Sequence, residues 1–218
     1  MRYTRKFGRL AFAILAALAL TSAAAARRGG FIDGLLRHNA VAASIQVPAA
    51  GRLEVAFSPD EGADELEVKL IRSAAHKGGA IRMLAYAFTS ATETRALLEA
   101  RAAGAEIQLV ADEKENTSED RSGKARAALS ALANAGVDVR LIRVYAIHHD
   151  KVTIVGNVVN RQVVGDSVGE GSFNFTEAAA HRNSENLLVN WNNPQLAAVY
   201  LAHFERNYAQ SEPFAPRY

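Results

Sequence analysis

From Leu53 to Val144 the chain alternates short apolar, β-branched runs with longer segments whose apolar residues recur at helical spacing. This alternation limits the fold more than any other feature. Leu53 to Phe57 reads as a strand, closed by the turn residues Ser58, Pro59 and Asp60. Asp64 to His76 places Leu66, Leu70, Ile71 and Ala74 on one helical face. Ala80 to Phe88 is a strand, and Thr92 to Ala103 a helix stopped by Gly104. Glu106 to Ala111 is a strand, Ser122 to Ala135 a helix stopped by Gly136, and Val137 to Val144 a strand. Pro194 to Tyr208 reads as a closing helix with Leu196, Val199, Tyr200 and Phe204 on one face. Strands interleaved with helices predict an α/β layered fold, a sheet covered by helices. The polar stretch Asp112 to Lys124 between them reads as a solvated surface loop.

The first residues stand apart from this pattern. Arg2, Arg5, Lys6 and Arg9 form a basic cluster, Leu10 to Leu20 is apolar, and Thr21 to Ala26 supplies small residues. Residues 1–26 are therefore expected to be a secretory signal peptide, too short in the apolar part for a membrane span. That predicts a periplasmic or secreted protein, with membrane association not expected once the leader is cleaved. Residues 27–51 read as a connector or weakly ordered arm, and residues 52–218 as one catalytic domain. Removing the leader changes the charge argument. The balance moves from 25 basic against 23 acidic residues to 21 against 23, because the leader holds four basic and no acidic residues. Bulk charge is then no argument for nucleic-acid binding. The chain has no cysteine. Disulfides, thiolate zinc sites and cysteine nucleophiles are excluded, and an exported domain of this composition has to rely on its core.

The residues that carry chemistry lie between Ile147 and Asn186. His149 and Lys151 precede the apolar run Val152 to Val155, which reads as a buried strand. Alternation along a strand puts His149 and Lys151 on one face, with His148 and Asp150 on the other. His148 is accordingly read as structural. Gly171, Ser172 and Asn174 form a turn, and Glu185 opens the run Ser184 to Trp191, a second strand. An imidazole can act as nucleophile or general acid near neutral pH. A Lys ammonium and an Asn amide can hold phosphoryl oxygens as charge develops there. A carboxylate can orient an imidazole and stabilise its cation. Together these groups suit attack on a phosphodiester. His38, His76, His181 and His203 have no such company. No metal-ligand motif or phosphate-cradling loop is present, so no cofactor and no metal are expected.

His149-x-Lys151 with Gly171-Ser172-x-Asn174 resembles the signature of the phospholipase D superfamily, His-x-Lys-x4-Asp-x6-Gly-Ser-x-Asn. The segments Val55 to Pro59, Ile81 to Thr89, Gly171 to Thr176 and Asn183 to Asn186 resemble its small, single-motif bacterial endonucleases. The resemblance implies a mixed β-sheet flanked by helices on both faces. It implies a metal-independent hydrolase acting on phosphodiester bonds, a non-specific endonuclease for DNA and also RNA. Its catalytic residues would be His149, Lys151, Ser172, Asn174 and Glu185, with Glu185 orienting His149. One motif per chain implies a homodimer sharing one site, with a phosphohistidine intermediate. The alternatives are a lipid phosphodiesterase or phosphatidyl transferase, and a catalytically impaired nucleic-acid-binding homologue.

Two features depart from the signature. Gly156 stands where the signature has Asp, and the gap from Lys151 to Gly171 is eight residues longer than the pattern. An even insertion keeps side-chain alternation if a hairpin simply lengthens. Asp166 is then placed either at the turn of that hairpin or as the replacement carboxylate. In the family that Asp supports the architecture of the site. If the site still follows that architecture, Gly156→Asp should preserve or increase cleavage and stability.

Overall fold

The computed structural model describes residues 44–216. The leader and most of the connector lie outside the described residues. Residues 44–50 have no regular structure, and the Ala50 carbonyl accepts from the side-chain amides of Asn190 and Asn193.

The strands are β1 (Arg52–Ser58), β2 (Gly79–Ala85), β3 (Glu106–Asp112), β4 (Asp138–Ile142), β5 (Lys151–Val159), β6 (Gln162–Gly171), β7 (Glu185–Trp191) and β8 (Glu212–Pro213). The helices are α1 (Ala63–Ser73), α2 (Ala91–Ala102), α3 (Glu113–Asn116), α4 (Lys124–Asn134), α5 (Glu177–His181) and α6 (Pro194–Ala209). All eight strands form one sheet in the order β1-β7-β6-β5-β2-β3-β4-β8. β2, β3 and β4 pair in parallel, and the other pairings are antiparallel, so the sheet is mixed.

Strand alternation builds two cores. Ile81, Met83, Leu109, Val139, Val155 and Val189 join the cluster under α1, α2 and α4. Leu84, Val110, Ile142, Val152, Ile154 and Val168 join Ala197 and Phe204 of α6 on the opposite face. Residues two apart share a face, and each face needs a cover, which is why helices lie on both. The caps follow local chemistry. The Ser90 side chain accepts from the N–H groups of Thr92 and Glu93 to start α2, and Asn193 accepts from Leu196 N–H just before Pro194 to start α6.

The extra residues before Gly171 do lengthen a hairpin. β5 and β6 meet at Asn160 and Arg161, whose φ values of 51° and 66° are those of a two-residue turn with both central residues left-handed. The turn is therefore not at Asp166. Asp166 lies inside β6, where the register slips: Val155 faces Ser167 while the next residue, Gly156, faces Gly165. Asp166 is the additional residue of a β-bulge.

Candidate active site

One end of the sheet gathers the residues singled out above. Lys151 begins β5 opposite Ala85 at the end of β2. Gly171 ends β6 opposite Leu187 near the start of β7. Glu185 pairs with Ser58 at the end of β1. Five strands, β1, β7, β6, β5 and β2, thus bring one end each to this place.

His149 is exposed, and its ring lies against Tyr86, with centroids 4.8 Å apart. Lys151 is buried, and its Nζ donates to the His149 carbonyl at 2.8 Å and lies 5.3 Å from the Tyr86 ring centre. Burial pushes the Lys151 ammonium below its ordinary pKa, and the carboxylates of Asp150 and Glu185 oppose that shift. The Gly171–Thr176 turn is held from both sides. Phe173 and Phe175 are in the core, whereas Ser172 is exposed and Asn174 is half-buried. The backbone N–H groups of Ser172 and Phe173 donate to the Asn186 carbonyl at 3.1 and 3.3 Å. A Cβ on Gly171 would stand 2.2 Å from that carbonyl oxygen, so only glycine allows this approach. The side-chain Oδ1 of Asn174 is buried with no hydrogen-bond partner.

Glu185 is engaged on this side of the site. Its carboxylate accepts from Ser172 Oγ at 2.7 Å and from Asn183 Nδ2 at 3.0 Å. Ser172 Oγ in turn accepts from Asn186 N–H at 3.0 Å. The expected contact of Glu185 with His149 is not among these bonds, and within one subunit Glu185 fixes Ser172.

His148 faces away, as alternation requires. It is buried, its backbone N–H donates to Asp112 Oδ2 at 2.7 Å, and its ring stacks on Tyr145. Burial pushes its pKa down, against the pull of Asp150 and Asp112. Asp150 also turns away from the site, and its carboxylate meets His203 Nε2 of α6 at 2.8 Å.

The stretch after β3 corrects the expectation of a solvated loop. Its first part folds into α3 and is buried at Asp112 and Asn116. Asn116 accepts from Phe88 N–H at 2.8 Å and donates to the carbonyls of Tyr86 and Asp112 at 2.6 and 2.8 Å. It thereby ties down the strand end that carries Tyr86, the residue packed on both His149 and Lys151. Asp112 caps α3 through Glu115 N–H and holds the His149 loop through His148 N–H. Sequence reading missed Tyr86, Asp112, Asn116 and His203. A polar segment interrupted by Asn after Asp offered a local capping signal, but only tertiary contact gives it a role.

The pattern departures lie elsewhere. Gly156 is five residues along β5 from Lys151, about 16 Å at the usual rise per residue. A Cβ there would stand 2.1 Å from the Val164 carbonyl oxygen and 2.6 Å from Gly165 Cα. The expectation that Gly156 could readily regain an Asp is therefore overturned, because the bulge brings the neighbouring backbone into the space a side chain needs. Asp166 accepts from the Ser167 hydroxyl at 2.7 Å, and its carbonyl accepts from Asn193 N–H. It does not take the place of a carboxylate at the site.

Comparison with known proteins decides the family. The profile described as the PLD-like domain of cardiolipin synthase matches residues 68–208. The chain belongs to the phospholipase D superfamily. A Rickettsia conorii protein named phospholipase D is 31% identical over 153 residues, covering 70% of this chain and 68% of the relative. Its Rickettsia typhi counterpart is 31% identical over 171 residues, covering 77% and 75%. Among solved structures, the phospholipase D family member Nuc from Salmonella typhimurium aligns with a TM-score of 0.65 at 36% identity, covering 76% of this chain and 99% of that one. NucT from Helicobacter pylori aligns with a TM-score of 0.60 over 76% of this chain and 100% of that one, and at 19% identity it bears on the fold alone. Membership makes this chain a phosphodiester-acting enzyme of the phospholipase D superfamily with the α/β fold of its relatives. Among the described residues no three His, Cys, Asp or Glu side chains are gathered in a way that could hold a metal ion, and no helix is long and apolar enough to cross a membrane.

Proposed function

We propose that the protein is an exported, metal-independent endonuclease acting on DNA, and also on RNA, from a site shared by two subunits. The observation that carries this reading is the exposed His149 beside the buried Lys151, at the same end of the sheet as the Asn174 turn, whose buried Oδ1 has no partner. In the proposed reaction one His149 attacks phosphorus and the P–O bond to the leaving group breaks. The second copy's His149 gives its proton to that oxygen, then takes one from the water that splits the P–N bond of the phosphohistidine. Lys151 and Asn174 hold the non-bridging oxygens, and Ser172, fixed by Glu185, supports the turn.

The one signature His of each chain, His149, cannot be both nucleophile and acid in one cycle, which is the argument for a dimer. The surface beside the site suits one. Val144, Tyr145 and Ile147, just before His149, are all exposed, and an isologous pairing would cover them while bringing two His149 residues together.

The test is incubation of the purified protein with plasmid DNA, RNA and phosphatidylcholine vesicles, each with and without excess EDTA. Cleavage of nucleic acid that persists in EDTA is expected. Abolition by EDTA with rescue by magnesium, or turnover of the vesicles alone, would defeat the reading. Sedimentation should give a dimer, and heterodimers of wild-type and His149→Ala subunits should lose most activity.

A further inference from the structure

A cleft of about 660 Å3 lies between α2 and α4, within the size range of ligand sites. Its floor is apolar and shallow in relief, made by Leu98 of α2 and by Ala128 and Ala131 of α4. Arg95 and Lys124 stand on its rim, both exposed. Among the described residues neither forms an ion pair. Lys124 is the first residue of α4, and the first turn of that helix holds no acidic residue. A cation there opposes the helix dipole at a cost of about 0.3–1 kcal/mol, so local helix chemistry does not explain it.

The cleft adjoins the turn that carries Asn174. The N–H groups of Thr89 and Ser90, which line it, both donate to the carbonyl of Phe175, the residue after Asn174. Glu177, the acidic group on the rim, begins α5 just beyond that turn and faces His181 at 3.6 Å.

We propose that this cleft is the subsite for the nucleotide next to the scissile phosphate, an inference that rests on the nucleic-acid reading above. Arg95 and Lys124 take the flanking phosphate, and the alanine floor takes the nucleoside. The choice between substrates follows from counting phosphates. A diacyl phospholipid such as phosphatidylcholine presents one phosphate, and in the reaction that one sits at His149, which leaves the rim cations without an anion. A nucleic-acid strand presents another phosphate at each nucleotide on either side.

Two variants probe the subsite: Arg95→Ala with Lys124→Ala, and Ala131→Trp, which fills the cleft from an exposed position. Binding of a short fluorescein-labelled single-stranded oligonucleotide is followed by anisotropy over a salt series, and cleavage is followed with bis(p-nitrophenyl) phosphate, which has no second phosphate for the rim cations to hold. Binding should weaken roughly tenfold or more for the double variant, and the slope of log affinity against log salt should shrink by about 1.4 for two lost contacts. Ala131→Trp should weaken binding without altering the slope. Small-substrate cleavage should stay within about twofold of wild type for both. Unchanged oligonucleotide binding and slope, or a wild type that binds no oligonucleotide, would overturn the subsite. So would equal losses on both substrates, or a loss confined to phosphatidylcholine vesicles. A wild type that binds through the cleft yet cleaves no nucleic acid would leave the subsite standing and defeat the endonuclease reading instead.

Discussion

The two ends of the β5–β6 hairpin follow different rules. At the end formed by Lys151 and Gly171, the His-x-Lys and Gly-Ser-x-Asn motifs of the superfamily signature are kept, and backbone and side chains converge on one small region. At the other end, Gly156 has lost the signature carboxylate, Asp166 is bulged out, and the strands run on to the Asn160–Arg161 turn. The longer hairpin leaves the strand ends at the candidate site paired, Val152 with Glu170. The bulge then absorbed the change in register farther along, where the neighbouring strands need only backbone pairing. A departure from a family pattern thus has to be judged by where it falls on the strand. Here it falls in packing, about five residues from the candidate site.

The sharpest way to break this comparison is at the candidate-site end. His149→Ala should lower cleavage by about three orders of magnitude or more, while the melting temperature stays close to wild type because the ring is exposed. A variant that keeps appreciable activity would remove His149 from the chemistry. At the distal end the effect should be on stability. Gly156→Asp forces a side chain and a charge against the Val164 carbonyl, which should cost about 3 kcal/mol or more, a fall of roughly 6–12 °C in Tm. A Tm equal to or above wild type would restore the idea that this position still wants its Asp.

Between the two ends lies Glu67 of α1, fully buried, accepting from Thr153 Oγ1 two residues along from Lys151. Burial pushes its carboxyl up to about 8 despite the Thr153 hydrogen bond, and nearby Glu93 adds to the rise. The folded chain then holds a proton that the unfolded chain releases above its ordinary value of 4.5. Stability from this group is fully present below about pH 4.5 and is lost as pH climbs through about 8, at ~1.4 kcal/mol per pH unit in that window. Thermal melts of wild type and Glu67→Gln across that window should converge at low pH and separate at high pH, with the variant the flatter of the two. Parallel curves would show that Glu67 is not neutral in the fold. The smallest effect is expected at Asp166→Ala, within about 0.5 kcal/mol and without loss of cleavage, because its side chain bonds only the adjacent Ser167 hydroxyl. A large loss of activity there would reinstate it as a substitute carboxylate.

How much of this could be read from residues alone varies with the range of the interaction. The helix stops at Gly104 and Gly136, the strand containing Lys151 and the opposite facing of His148 and His149 are local consequences of periodicity and backbone freedom, and the structure bears them out. The sequence left Asp166 as one candidate for the hairpin turn because the register of a pair depends on both strands, and Asn160–Arg161 carries no glycine to announce the actual turn. Asn116 and Asp112 looked like solvated polar residues because nothing in their own neighbourhood says that β2 and the His149 loop will close over them.

The sequence by itself determined the α/β architecture and the chemical inventory, since apolar period and the types of side chain are properties of single segments. Tertiary structure decided how that inventory is used. It paired Glu185 with Ser172, turned Asp150 toward His203, set Tyr86 against both His149 and Lys151, and closed position 156 to any side chain. Each of those outcomes depends on how closely two distant segments approach, a distance fixed by packing of the whole sheet and written in neither segment alone.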